Sequence, residues 1–266
     1  MTTMSEGAFD AVAELFERVS GIRLAPAKKA LVEGRLQRLA QDAGQASLDR
    51  YVEHLLHEAG EAELTKVVDK LTTNETYFFR EPQHFEFLAK QLRTQPPRGA
   101  FRVWSAASSS GEEAYSIAML LADVLGSRPW EVVGTDLSTA MVEAGQRALY
   151  PMERARHTPH DYLKRFCLRG EGRYQGQLLI QRSLRERVHF RGANLMQDLP
   201  ADLGQFDVIF LRNVLIYFDA PAKAAITRRV LRQLQPHGHL LTGHAESLAN
   251  LDLPIRALQP AVYVPA

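Results

Sequence analysis

A chain of 266 residues can hold one good-sized domain plus a small accessory one, and 45% hydrophobic with 24% charged residues is the balance of a globular protein. Its 32 basic and 31 acidic side chains nearly cancel, so bulk charge predicts no nucleic-acid or membrane partner, and any electrostatic docking must come from a local patch. The single cysteine, Cys167, rules out an internal disulfide and a cysteine-based zinc cage, and no metal is expected.

The opening MTTMSEGAFD lacks the basic start and apolar core of a secretory signal. No apolar run approaches the roughly 20 residues needed to span a bilayer, so the expected compartment is the cytoplasm. Residues 1–71 read as a helical module. Phe9, Val12, Ala13, Phe16 and Val19 share one helix face; Leu48, Tyr51, Val52, Leu55 and Leu56 share another, with Ser47 placed as its N-cap. Leu64, Val67, Val68 and Leu71 form a third, and Gly21, Pro26, Gly44 and Gly60 punctuate the segments. Residues 72–99 form a linker that ends in QLRTQPPRGA, with Pro96 and Pro97 ahead of the first strand.

From about residue 100 the rhythm changes. FRVWSA, WEVVGTD, VHFRGANL, FDVIFLRN, HLLTG and AVYVP read as short strands, with helices over Glu112–Leu125, from Ser138 and from Pro221. Strands alternating with helices imply parallel pairing and right-handed crossovers, hence an α/β fold. Pro236 and Gly238 are expected to form a turn between the last helix and HLLTG. Residues 151–187, polar and carrying Gly170, Gly172 and Gly176, interrupt the alternation as an inserted β-subdomain.

Three features converge on a ligand site. Ala106–Gly111 is a run of small residues between the first strand and its helix, which lets a ligand approach the backbone closely. Asp136 ends the next strand, where a carboxylate can accept both ribose hydroxyls of a nucleoside. Arg212, Asn213 and Tyr217 follow the buried run Val208–Leu211, and Asn194 follows the preceding strand. Together these indicate a Rossmann-like nucleoside site; without a GxGxxG fingerprint the NAD reading is weak, yet the pattern alone does not choose between S-adenosylmethionine and NAD.

LTTNETYFFRE (71–81), VWSAASSSGEEAYSIAMLL (103–121), GTDLS (134–138), FLRNVLIYFD (210–219) and GHAES (243–247) together resemble the chemotaxis receptor methyltransferases, the CheR family. The resemblance implies a small all-α N-terminal domain (1–71) for receptor docking and a class I methyltransferase domain (72–266) with an inserted small β-subdomain. It implies S-adenosylmethionine as cofactor, S-adenosylhomocysteine as product, and glutamate side chains of chemoreceptors as substrate. By resemblance Asn74, Thr76, Arg80, Glu113, Asp136, Asn194, Leu195, Arg212 and Asn213 bind the cofactor, and Arg80 and Tyr217 lie nearest the transferring methyl. It further implies that a basic N-terminal helix with Lys28, Lys29, Arg35 and Arg38 docks the cytoplasmic helical bundle of a receptor. Gly170, Gly172 and Gly176 would shape a site for a receptor's C-terminal pentapeptide. If Lys28, Arg35 and Arg38 share a helix, they fall within an arc of roughly 80°.

Overall fold

The computed structural model describes residues 3–266 and divides into two compact units. One comprises the helices up to Thr73 together with Tyr217–Ala222; the other comprises Asn74–Ile216 and Lys223–Ala266.

The first unit is built of helices α1 (Glu6–Ser20), α2 (Lys29–Asp42), α3 (Leu48–His57) and α4 (Glu61–Leu71). Ser5 and Ser47 cap α1 and α3 by accepting from the Ala8 and Arg50 amides, and Gly21 ends α1 in the left-handed region. Phe9, Val12, Leu15 and Phe16 of α1 are buried together with Tyr51, Val52 and Leu55 of α3 and Val67, Val68 and Leu71 of α4. Ala13 and Val19 stay half-exposed; Leu15 takes their place. Lys28 does not lie on α2 as expected. Pro26 opens a 3-10 turn over Pro26–Lys28, and Lys29 is the first residue of α2.

In the second unit α5 (Gln83–Thr94) leads into β1 (Phe101–Ala106), α6 (Glu112–Leu125), β2 (Trp130–Asp136) and α7 (Thr139–Arg147). The insert follows: β3 (Leu149–Pro151), α8 (His160–Phe166), β4 (Cys167–Arg169), β5 (Gln177–Ile180) and the short α9 (Arg182–Arg185). The chain then returns through β6 (Val188–Gly192), β7 (Phe206–Leu211), α10 (Ala220–Leu231), β8 (Leu234–Thr242), β9 (Ile255–Gln259) and β10 (Val262–Pro265).

The main sheet has the order β6-β2-β1-β7-β8-β10-β9. Every pair from β6 through β8 is parallel, while β10 is antiparallel to both β8 and β9. Strands buried on both faces read as continuous apolar runs, as Val132–Val133 and Val208–Leu211 do. The chain moves outward from β1 to β2 and β6, then returns to place β7 on the other flank of β1. That reversal makes the carboxyl ends of β1 and β7 a topological switch point, where open α/β sheets bind ligands.

The turn expected at Pro236 and Gly238 is instead part of β8. The register between β7 and β8 shifts between Phe206 and Val208, and this irregular stretch tolerates a proline that cannot donate. A Cβ at Gly238 would lie 2.8 Å from the Asp207 carbonyl, so the close strand approach demands glycine. The insert is a separate antiparallel sheet of order β3-β5-β4. Its β4–β5 connection runs through Gly172 and Gly176, both at positive φ, while a Cβ on Gly170 would lie 2.1 Å from the Tyr174 carbonyl.

Candidate active site

The loop between β1 and α6 is built for close approach. Ala107, Ser109 and Gly111 all have positive φ (61°, 50° and 97°), which folds the chain tightly ahead of α6. Gly111 is required twice over: its φ favours glycine, and a Cβ would lie 2.8 Å from the Phe190 ring and 2.9 Å from the Tyr150 hydroxyl. Tyr150 donates to the Ser110 carbonyl at 2.7 Å, so the insert's first strand helps hold this loop.

Asp136, nearly buried at the end of β2, accepts from the Ser109 amide at 2.8 Å and the Ser138 amide at 2.9 Å. These bonds fix the carboxylate between the small-residue loop and the start of α7. The Ala193 amide donates to the Asp136 carbonyl at 2.9 Å, which brings the loop after β6 to the same edge. In that loop Asn194 accepts from the Met196 amide through its side chain, and the buried Leu195 is anchored through its carbonyl by Arg229. Asn74 arrives from upstream: its carbonyl accepts from the Ser109 hydroxyl at 3.4 Å.

The switch point holds a second cluster. The Arg212 side chain, 1% exposed, pairs with Glu113 at 3.0 Å and Glu81 at 3.2 Å and also donates to the Arg80 carbonyl. Its guanidinium is flanked by the Phe85 and Phe210 rings. Glu113 additionally accepts from the Ser105 hydroxyl at 2.7 Å, yet burial outweighs its partners and pushes its carboxyl above the usual range. Glu81 is displaced the other way: burial works against the charge, but the Asn213 amide at 3.1 Å and Arg212 overcome it and hold its carboxyl low. Asn213 sits at φ 57°, and its backbone amide donates to the buried Glu246 at 2.6 Å. Glu246 also accepts from Gly243 at 2.8 Å and Ile216 at 3.2 Å, locking the loops after β7 and β8 together.

Arg80 donates to the Glu75 carbonyl at 2.8 Å and lies over the Tyr77 ring, 5.9 Å from its centroid. Thr76 accepts from Arg154 through its carbonyl, and Arg154 in turn reaches the buried Glu112 at 3.2 Å. Thr76, Glu75 and Tyr77, with Glu153, Arg154, Arg156 and His157, line a cavity of about 330 Å³. Hydrogen bonds and ion pairs thus join Arg80, Glu113, Arg212 and Asn213 in one cluster and Asn74 with Asp136 in another. Tyr217 is the last residue of a 3-10 turn (Leu215–Tyr217) and groups with the helical unit.

Sequence reasoning did not single out Glu81, Ser105 or Glu246, each of which bonds a candidate site residue. Glu81 and Glu246 stood inside the quoted segments NETYFFRE and GHAES, but their partners lie 132 and 33 positions away, and no local pattern reports such pairings.

The donor set suits S-adenosylmethionine. Asp136 offers a fixed carboxylate of the kind a ribose diol requires. The buried Ser108 hydroxyl of the small-residue loop has no hydrogen-bond partner among the described residues, which leaves it a donor to spare for a ligand.

Comparison with known proteins agrees with this reading of the cofactor. Residues 7–72 match the family described as CheR methyltransferase, all-alpha domain, and residues 74–264 match CheR methyltransferase, SAM binding domain. The chain is 40% identical to chemotaxis protein methyltransferase 2 of Pseudomonas aeruginosa, over 97% of this chain and 92% of that protein. It is 37% identical to the chemotaxis protein methyltransferase of Escherichia coli, over 94% of this chain and 87% of that protein. It is 32% identical to that of Borreliella burgdorferi, over 91% and 88% respectively. Matched in both its helical and its α/β parts along nearly its whole length, with a mostly parallel sheet following the helical unit, this chain belongs to the CheR family of S-adenosylmethionine-dependent methyltransferases.

Proposed function

We propose that this protein transfers a methyl group from S-adenosylmethionine to glutamate side chains of chemoreceptors, forming glutamyl methyl esters and S-adenosylhomocysteine in chemotactic adaptation. The observation that carries the proposal is the paired constellation at the sheet's carboxyl edge, Asp136 clamped by two amides and Arg212 held between Glu81 and Glu113. Asn74, Thr76, Arg80, Glu113, Asp136, Asn194, Leu195, Arg212 and Asn213 line the cofactor site in this reading.

The bound cofactor supplies a methyl group made electrophilic by its sulfonium. A glutamate with a pKa of about 4.3 is already ionised at neutral pH, so the chain need provide no general base. Its task is to position the carboxylate in line with the methyl and to replace water around the anion with fixed dipoles. Arg80 serves as that positioning cation: the bond to Glu75 uses one of a guanidinium's five donors, leaving others for an incoming carboxylate. Tyr217 is assigned to orienting the substrate carboxylate or the methionine end of the cofactor.

For the receptor's helical bundle, the exposed Lys28 and Arg38 are the stronger docking residues. Lys29 is engaged by Glu6, and Arg35 donates to the carbonyls of Leu71 and Thr72 at 2.8 and 3.1 Å. Two edge strands in the small sheet, with Leu168 of β4 51% exposed, support capture of a receptor's C-terminal pentapeptide by strand addition, with Gly170, Gly172 and Gly176 shaping the turn beside it. Among the described residues no helix is long and apolar enough to cross a membrane, and a cytoplasmic site of action follows from a substrate on the receptors' cytoplasmic bundles.

The test is transfer of radiolabelled methyl from S-adenosylmethionine to chemoreceptor cytoplasmic fragments by the parent chain and by Arg80→Ala and Asp136→Ala. Base-labile label on the receptor, lost in both variants, is the expected result. Absence of label despite tight S-adenosylhomocysteine binding would leave the methyltransferase fold standing and remove the receptor glutamate as substrate.

A further inference from the structure

Beside the switch point, three side chains from two distant segments converge: Glu81, already bonded to Arg212 and Asn213, and His84 and His244, which the chemistry above does not use. Glu81 Oε2 lies 3.5 Å from His84 Nδ1 and 3.4 Å from His244 Nδ1, and the two imidazoles stack with centroids 4.9 Å apart and planes 22° from parallel. Among the described residues this is the group in which three potential metal-ligating atoms lie within 4.8 Å of one another. The second observation concerns His84. It is 1% exposed, yet neither ring nitrogen has a hydrogen-bond partner, although buried polar atoms are paired almost without exception. Glu81 Oε2 approaches the His84 Nδ1 to 3.5 Å without making a hydrogen bond. Glu81 is itself held at a left-handed φ of 56°, a conformation a glutamate adopts only when its surroundings impose it.

We propose that Glu81, His84 and His244 form a site for one divalent transition-metal ion of the borderline class that zinc represents. Two imidazoles and a carboxylate are a common ligand set for zinc, with a fourth position left to water, and the same set suits cobalt. Imidazole nitrogens within 3.5 Å of a shared carboxylate oxygen need only small side-chain rotations to reach bonding distance of a central ion. The exposed His244 is the entry side. The lone cysteine that excludes a thiolate cage has no bearing on a site of this composition.

The metal has a consequence for the cofactor pocket, and this part rests on the proposed roles of Arg212 and Asn213. Glu81 now binds both. An ion that draws Glu81 toward the two histidines takes it from Arg212, which keeps Glu113, and from Asn213. Metal binding therefore weakens S-adenosylhomocysteine binding, and by linkage the reverse holds by the same factor.

The experiment titrates cobalt and then zinc into the metal-stripped full chain. One equivalent of cobalt should develop a visible ligand-field absorption that zinc abolishes. His244→Gln should weaken affinity at least tenfold, and so should His84→Gln, whose fold is checked by circular dichroism. His237→Gln, at an exposed histidine outside the cluster, should leave it unchanged. Equal metal affinity in the parent and His244→Gln chains overturns the site. Zinc binding that depends on His244 but leaves S-adenosylhomocysteine affinity untouched keeps the site and overturns its coupling to the pocket.

Discussion

Arg212 donates to Glu113 at 3.0 Å from a side chain that is 1% exposed, tying the residue just after β7 to the first turn of α6. Removing one member of a buried ion pair leaves the other charge uncompensated, which costs about 3–5 kcal/mol. Arg212→Ala would strand both Glu113 and Glu81. The expected outcome is a loss of that order in urea-unfolding stability of the methyltransferase unit, together with loss of S-adenosylhomocysteine binding. Arg212→Lys should recover part of the stability, because it restores the charge without the two-sided fork.

Asp136→Asn separates geometry from charge. The side chain keeps one oxygen to accept an amide but turns a nitrogen toward the Ser109 or Ser138 amide, losing one charge-assisted bond worth about 1.5–3 kcal/mol. Calorimetry should find S-adenosylhomocysteine affinity reduced at least tenfold, with the circular dichroism spectrum unchanged. Unaltered affinity would remove Asp136 from the cofactor site.

Gly111→Ala tests the loop itself. At φ 97° an alanine is strained, and its Cβ meets the Phe190 ring and Tyr150 hydroxyl at under 3 Å. A destabilisation of about 1–3 kcal/mol is expected. Displacing Tyr150 also frees the Ser110 carbonyl, so the variant should lose cofactor affinity as well as melting temperature.

In the helical unit the basic residues are not equivalent. Arg35 satisfies carbonyls at the carboxyl end of α4, so Arg35→Ala should lower stability by about 1–2 kcal/mol. Lys28→Ala and Arg38→Ala should leave the melting temperature unchanged while raising the KM for receptor and flattening its dependence on salt. A receptor KM unaffected by Lys28→Ala and Arg38→Ala combined would overturn the docking assignment.

His84 supplies a pH signature. Burial, aided by the nearby Arg212, lowers its pKa to about 4 from the ordinary 6.5, so the unfolded chain takes up the proton first. The stability this contributes is fully present above pH 6.5 and is lost as the pH falls toward 4, at up to about 1.4 kcal/mol per pH unit. Chemical unfolding of the parent and His84→Gln chains across that window should show a steeper acid loss in the parent. Parallel slopes would contradict a buried neutral imidazole.

Local patterning was enough for much of this protein. The helical spacing in α1 and α3 (Leu56, 41% exposed, apart), Ser47 as a cap, the limits of α6, the continuous apolar strands and Asp136 at a strand end were legible, because each depends on neighbours within a turn or a strand. The edge strand β9 was not legible: IRALQ is exposed along most of its length and pairs only with β10, so it carries no alternation to read. Pro236 and Gly238 mark a turn in isolation, yet pairing with β7 carries them into β8. Arg35 looks like surface charge until α4 brings its carbonyls within reach. The opposite pKa displacements of Glu81 and Glu113 and the meeting of Glu81 with His84 and His244 come from the tertiary structure alone. Burial and charge pairing depend on which side chains lie within a few ångströms, and here those partners stand up to 163 positions apart in the chain.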